Sequence, residues 1–120
     1  MREIKFRAWL TNKNMMYQFD DDSLGDHFNR LAYGYREFEL MQYTGLKDKK
    51  GQEIYEGDIL SAFHGTQITA VTWNEKYGLY EIVLQVSGLS EPMEELLGNH
   101  LDVVEVIGNI YENPELLEGI

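Results

Sequence analysis

The 120-residue chain carries 21 acidic and 10 basic side chains, and its formal net charge is −11 at pH 7. Nucleic-acid binding depends on a basic surface that contacts phosphates, so this charge balance disfavours DNA and RNA as partners. The chain has no cysteine, which excludes disulfide bonds, thiolate metal sites and cysteine nucleophiles.

Hydrophobic residues make up 43% of the chain, which is enough to bury a core and argues against disorder. The first ten residues, MREIKFRAWL, alternate charged with apolar side chains and lack the continuous apolar region of a secretory signal. No apolar run approaches the roughly 20 residues that a membrane helix needs. We therefore expect a cytoplasmic protein without a membrane partner.

The N-terminal segment predicts a β-hairpin. Residues 2–10 alternate between apolar and polar side chains, which is the period of a half-buried strand. The predicted inner face carries Ile4, Phe6, Ala8 and Leu10. A polar turn at residues 11–14 separates this strand from a second strand at residues 15–19.

The segment after the hairpin is less regular. Residues 20–26 read as an acidic loop, residues 27–35 show no clean periodicity, and residues 37–43 indicate another strand. The loop offers three oxygen ligands, Asp20, Asp22 and Asp26. Its spacing departs from the EF-hand pattern, and Ca²⁺ takes about six or more oxygens, so we predict a solvated loop rather than a metal site.

The stretch YTGLKDKKGQEIYEGDIL, residues 43–60, combines two turns with a short strand at residues 53–55. Gly51 closes the first turn and Gly57 lies in the second, where glycine reaches positive φ without a Cβ clash. Asp58 is expected to cap the second turn through its side chain. We assign these three residues to turn structure rather than to chemistry.

Short strands separated by turns are predicted at residues 59–63, 67–73, 77–84 and 101–111. Ser90 is predicted to cap one or two helical turns over residues 90–98, and Asn113 with Pro114 to begin a short helical turn near the C-terminus. Strands at this spacing predict an all-β fold with one or two short helical turns, built on a small barrel or sandwich.

Three blocks of the sequence together resemble the YopX family of phage and prophage proteins. They are REIKFRAW at residues 2–9, MQYTGLKDKKGQEIYEGDIL at residues 41–60 and VIGNIYENPELL at residues 106–117. The resemblance implies an SH3-like small barrel over residues 43–120, after an N-terminal β-hairpin and irregular acidic segment over residues 1–42. It also implies the cytoplasm of a bacterial host cell, and it brings no catalytic residue with it.

No motif in the sequence indicates catalysis. His27, His64 and His100 lie far apart and show no metal-ligand spacing. No serine lies in a GxSxG elbow, and no glycine pattern cradles a phosphate. We therefore predict that the protein is not an enzyme, with no catalytic residue, no metal and no cofactor.

The aromatic residues around one turn are the best candidates for an interaction surface. Trp73, Tyr77 and Tyr80 lie close together in the sequence, and SH3-type barrels bind extended peptides on aromatic-lined grooves. The alternative, which we favour, is that these rings fill the core of a small barrel.

We expect the protein to act through contacts with a protein partner of unknown identity, a homo-oligomer being one such case. One competing hypothesis is an acidic regulator that mimics nucleic acid and binds a basic host or phage protein. A second is direct nucleic-acid binding through a local basic patch at Lys47, Lys49 and Lys50.

Overall fold

The computed structural model of the protein describes residues 4–19, 24–34, 37–62, 67–76, 78–83, 90–92 and 104–118. Its strands are β1 (Phe6–Leu10), β2 (Met15–Gln18), β3 (Phe38–Lys47), β4 (Glu53–Tyr55), β5 (Asp58–Ala62), β6 (Gln67–Asn74), β7 (Leu79–Val83), β8 (Ser90–Pro92) and β9 (Val104–Asn109). Helix α1 spans Leu24–Gly34, and a 3₁₀ helix spans Pro114–Leu117. None of the helices within these ranges has the length and apolar character to cross a membrane.

The chain divides into two compact units, Met1–Tyr43 and Thr44–Ile120. This boundary lies one residue after the one expected between residues 1–42 and 43–120. Antiparallel strands dominate the described structure, so the predicted all-β class is confirmed.

In the first unit, the strands lie in the order β2-β1-β3, and α1 packs against one face of this sheet. Ala8 pairs with Tyr17 on β2 and with Leu40 on β3. The core consists of Ala8, Leu10 and Leu31, with four aromatic rings packed against it: Tyr17, Phe19, Phe28 and Phe38. Apolar side chains from the sheet and the helix therefore form one cluster in this unit.

Helix α1 was not predicted by the sequence pattern. The expected loop is wrong at Asp26, which lies in the first turn of the helix. The buried face of the helix includes His27, 1% exposed, and a polar residue type at that position interrupts the apolar periodicity. The ring of His27 stacks on Phe19 at 4.6 Å between centroids, and its Nδ1 lies 2.9 Å from the Tyr17 hydroxyl oxygen. Packing on the sheet, rather than periodicity, decides this helix.

Strand β1 is buried on both faces, so the prediction of a half-buried strand is wrong. Arg7 is 7% exposed and Trp9 is 8% exposed, although both lie on the face expected to meet solvent. Residue type misleads here because a long arginine side chain has an apolar stem that can be buried.

The unit boundary falls within β3, and β4 lies beside β3. In the second unit, the described strands of a five-stranded antiparallel sheet run in the order β8-β7-β6-β5-β9. The predicted small barrel is present as a curled half-barrel. Ile59 and Leu60 on β5 are both 0% exposed, so neighbouring residues on opposite faces are buried. The core consists of Ile54, Leu60, Ala62, Val71, Tyr80 and Val104.

The two predicted helical turns fared differently. Ser90 does not cap a helix, because it begins β8 and pairs with Val83 on β7; residues 93–98 lie outside the described residues. The C-terminal turn is confirmed as a 3₁₀ helix with Pro114 at its start. Asn113 occupies the cap position, but its Oδ1 accepts a hydrogen bond from the Asn109 N–H at 3.3 Å rather than from the helix.

Candidate interaction surface

Trp73 on β6 and Tyr80 on β7 lie directly opposite each other in one antiparallel hairpin. Their ring centroids are 4.8 Å apart and their planes meet at 64°, an edge-to-face arrangement. A pair of this kind contributes about 0.5–1.5 kcal/mol beyond the burial of its area. The pair therefore joins the two strands and holds the indole ring in place.

The two rings differ in exposure. Tyr80 is 7% exposed and belongs to the core, whereas Trp73 is 41% exposed. Val71, two residues earlier on the same face of β6, is 1% exposed. Trp73 therefore lies where the buried face of β6 reaches the surface. Tyr77, the third aromatic residue of the predicted group, lies outside the described residues.

On the opposite face of the hairpin, two polar side chains join β6 to β7 near the turn. Asn74 Nδ2 donates a hydrogen bond to Glu81 Oε1 at 3.0 Å. The turn closes where the Gly78 N–H donates to the Asn74 carbonyl at 2.8 Å, with Gly78 at φ +64°. These contacts position the hairpin that carries Trp73.

The turn between β4 and β5 uses Gly57 and Asp58 for backbone structure. Asp58 is 1% exposed, and its Oδ2 accepts a hydrogen bond from the Tyr55 N–H at 2.7 Å. Gly57 has φ +87°, donates its N–H to the Val71 carbonyl at 2.8 Å and accepts from the Ile110 N–H at 2.9 Å. The Asp58 side chain therefore bonds to the last residue of β4, and the Gly57 backbone bonds to Val71 on β6 and to Ile110.

Asp48, which is not among the predicted turn residues, organises the preceding turn. Gly51 has φ +83° and donates its N–H to the Asp48 carbonyl at 3.0 Å. Asp48 Oδ1 accepts from the N–H groups of Lys50 and Gln52, each at 2.9 Å, and Oδ2 accepts from the Val106 N–H at 2.9 Å. Aspartate at the start of a turn with glycine three residues later is a common pattern that could have indicated this role. The contact with Val106, 58 residues away, has no such local signal.

Two of the three lysines of the hypothetical basic patch contact one carboxylate. Lys49 Nζ lies 3.5 Å from Glu105 Oε2, and Lys50 Nζ lies 2.6 Å from Glu105 Oε1. The hydrogen bond to Glu105 raises the pKa of Lys50, and the same bond lowers the pKa of Glu105. Part of the local positive charge is therefore neutralised within the protein, which weakens the case for phosphate binding at this turn.

Within the described ranges, no group of three or more histidine, aspartate or glutamate side chains is placed to hold a metal ion. His27 lies in the core of the first unit. His64 and His100, together with Asp20 and Asp22 of the acidic segment, lie outside the described residues, whereas Asp26 is exposed on α1.

The fold and the hairpin define a small, mainly β protein that presents one indole ring next to a buried tyrosine. The family described as YopX protein matches residues 5–118, so the chain belongs to the YopX family, and the resemblance seen in the three sequence blocks is confirmed. The chain is also similar to a solved structure, "Crystal structure of protein EF1440 from Enterococcus faecalis". The two are 31% identical, with a TM-score of 0.64, over 98% of this chain and 100% of that chain. No curated protein shows a significant match. Neither the family description nor the name of that structure states an activity.

Proposed function

We propose that this YopX-family protein is not an enzyme and acts by binding another protein through a surface centred on Trp73. The observation that carries the proposal is the 41% exposure of this ring beside a buried aromatic partner. Tryptophan is among the residues that most often dominate binding energy at interfaces. Because Tyr80 already holds the indole, binding would order little additional side-chain motion.

The buried polar groups of the second unit support a scaffold role. Thr44 Oγ1 donates to the Ile54 carbonyl at 2.7 Å. Asn109 Oδ1 accepts from the N–H groups of Tyr111 and Glu112 at 3.0 and 2.9 Å. Asp48 and Asp58 bond to backbone N–H groups in the same way. These side chains support turns and strands, which suits a rigid binding module better than a catalytic centre.

The partner is a protein of the phage or of its bacterial host, because the family resemblance is to phage and prophage proteins and we place the chain in the host cytoplasm. The net charge of −11 favours encounter with a basic partner surface over an acidic one. Trp73 would supply the contact and the surrounding charge would accelerate the approach.

Affinity purification of the tagged protein from phage-infected cells, followed by mass spectrometry, tests the proposal. We expect Trp73→Ala to lose a partner that the wild type retains, and Trp73→Phe to keep part of the binding. Tyr33→Ala is the matched control, because Tyr33 is an aromatic residue 86% exposed on α1. Near-ultraviolet circular dichroism checks that each variant is folded.

Retention of the partner by a folded Trp73→Ala variant would refute the proposal. A partner that the Trp73→Ala variant still binds, and that moderate salt releases, would instead favour mimicry of nucleic acid, since salt screens exposed charges. DNA and RNA should keep their gel mobility at low salt, and a retarded band lost on substitution of Lys47 would favour the basic patch.

A further inference from the structure

Among the strands that the structure describes, β9 lies at one edge of the five-stranded sheet, with β5 on its inner side. An edge strand presents backbone N–H and C=O groups that can pair with a strand from another chain. Here two of the outward groups of β9 are already bonded within the protein. The Val106 N–H donates to Asp48 Oδ2 at 2.9 Å, and the Val104 carbonyl accepts from the Lys49 N–H at 3.0 Å. Residues 47–52, here called the guard turn, therefore cover this part of the edge.

One carboxylate both shapes the guard turn and attaches it to β9. Asp48 is 7% exposed, and its Oδ1 accepts from Lys50 and Gln52 inside the turn while its Oδ2 accepts from Val106. Hydrogen bonds to an ionised acceptor are roughly twice as strong as neutral ones. The ion pairs of Glu105 with Lys49 and Lys50 lie at the surface, where such pairs contribute little. Asp48 is therefore the side chain that holds the turn in place, beside the backbone bond from Lys49 to Val104.

We propose that the guard turn keeps the edge of β9 closed to self-association, and that loss of the Asp48 carboxylate opens this edge to a strand of a second copy of the chain. The outward groups at Val104 and Val106 are two residues apart, which is the spacing at which an antiparallel partner forms its hydrogen bonds. Two β9 strands that pair antiparallel about a two-fold axis would use the same groups on both copies.

The test compares Asp48→Ala with Glu105→Gln as the matched control, which removes both ion pairs and leaves the bonds of Asp48. Hydrogen exchange at the Val106 amide reports the closed edge, and light scattering over a concentration series reports self-association. We expect the Val106 amide of Asp48→Ala to exchange roughly tenfold faster or more, while the amides of β5 stay protected. The apparent mass of this variant should rise with concentration above the 14.0 kDa monomer, further than the mass of the wild type or of Glu105→Gln.

Two results would overturn the proposal. One is a Val106 amide that remains as slow in Asp48→Ala as in the wild type, because Asp48 would then not hold the turn. The other is fast exchange at Val106 with the mass of the wild type at every concentration, because the open edge would then recruit no second copy. If Asp48→Ala does not fold, Asp48→Leu keeps the branched shape of the side chain and removes both acceptor oxygens, and the same two criteria apply to it.

Discussion

Gly108 on β9 offers a direct test of how the C-terminal segment packs. A Cβ atom added to Gly108 would lie 2.5 Å from Oδ1, 2.8 Å from Cγ and 3.0 Å from Cβ of Asn113. Non-bonded carbon atoms attract each other at about 3.5–4.0 Å, so an alanine here forces Asn113 to move. Gly108 has no positive φ, so the substitution tests space rather than backbone conformation.

The expected cost follows from what Asn113 loses when it moves. Its Oδ1 accepts from the Asn109 N–H at 3.3 Å, and its own N–H donates to the Asn109 carbonyl at 2.9 Å. Overpacking costs about 1–3 kcal/mol and a lost hydrogen bond about 0.5–1.5 kcal/mol. We therefore expect Gly108→Ala to lower the free energy of unfolding by about 2–4 kcal/mol.

Urea denaturation of a double-mutant cycle measures this clash. Asn113→Gly removes all three atoms that the new Cβ would meet, so Gly108→Ala should cost little in that background. Gly34→Ala is the control, because a Cβ at Gly34 meets no atom within 4 Å. Asn113 does not obstruct a side chain at position 108 if Gly108→Ala costs as much with Asn113→Gly as without it, or costs less than about 0.5 kcal/mol alone.

Two further predictions concern the turns. Asp58→Ala leaves the buried Tyr55 N–H without its 2.7 Å acceptor, so the free energy of unfolding in urea should fall by about 1–3 kcal/mol, and an unchanged value would contradict the role of Asp58. The hydrogen bond from Lys50 lowers the pKa of Glu105 from 4.5. The contact therefore stabilises the fold above pH 4.5, and this stabilisation is lost as pH falls through the lowered pKa of Glu105 in the folded state. The pKa of Lys50 is raised from 10.5, so the contribution persists to that pH and is lost as pH rises through the raised value. The stability difference between wild type and Glu105→Gln should therefore be largest near neutral pH and shrink with added salt, and a pH-independent difference would refute the ion pair.

The sequence predicts most of the strands because their signal is local. β4 has the predicted bounds, Glu53–Tyr55, and β5 and β6 match to within one residue at each end. Alternation and turn glycines encode these elements within a few residues of themselves. The family resemblance was equally visible, since its blocks are continuous stretches of sequence.

Helix α1 and the interaction surface show where local signals fail. Histidine is a polar residue type, yet His27 is buried against Phe19. The buried face of the helix can therefore be identified only from its packing on the sheet. In the sequence, Trp73 and Tyr80 belong to one aromatic group, but Tyr80 is a core residue and Trp73 is 41% exposed. Burial depends on all neighbours in space, and a residue type states only a preference.

The sequence alone therefore determines that this is an acidic, cysteine-free, mainly β member of the YopX family with glycine-closed turns. Only the tertiary structure decides which backbone groups the polar side chains of those turns bind. Asp48 has its turn partners within four residues, but its bond to Val106 spans 58 residues and covers the edge of β9. Contacts between residues so far apart in the sequence form only when the strands have assembled in their order within the sheet, so no local pattern predicts them.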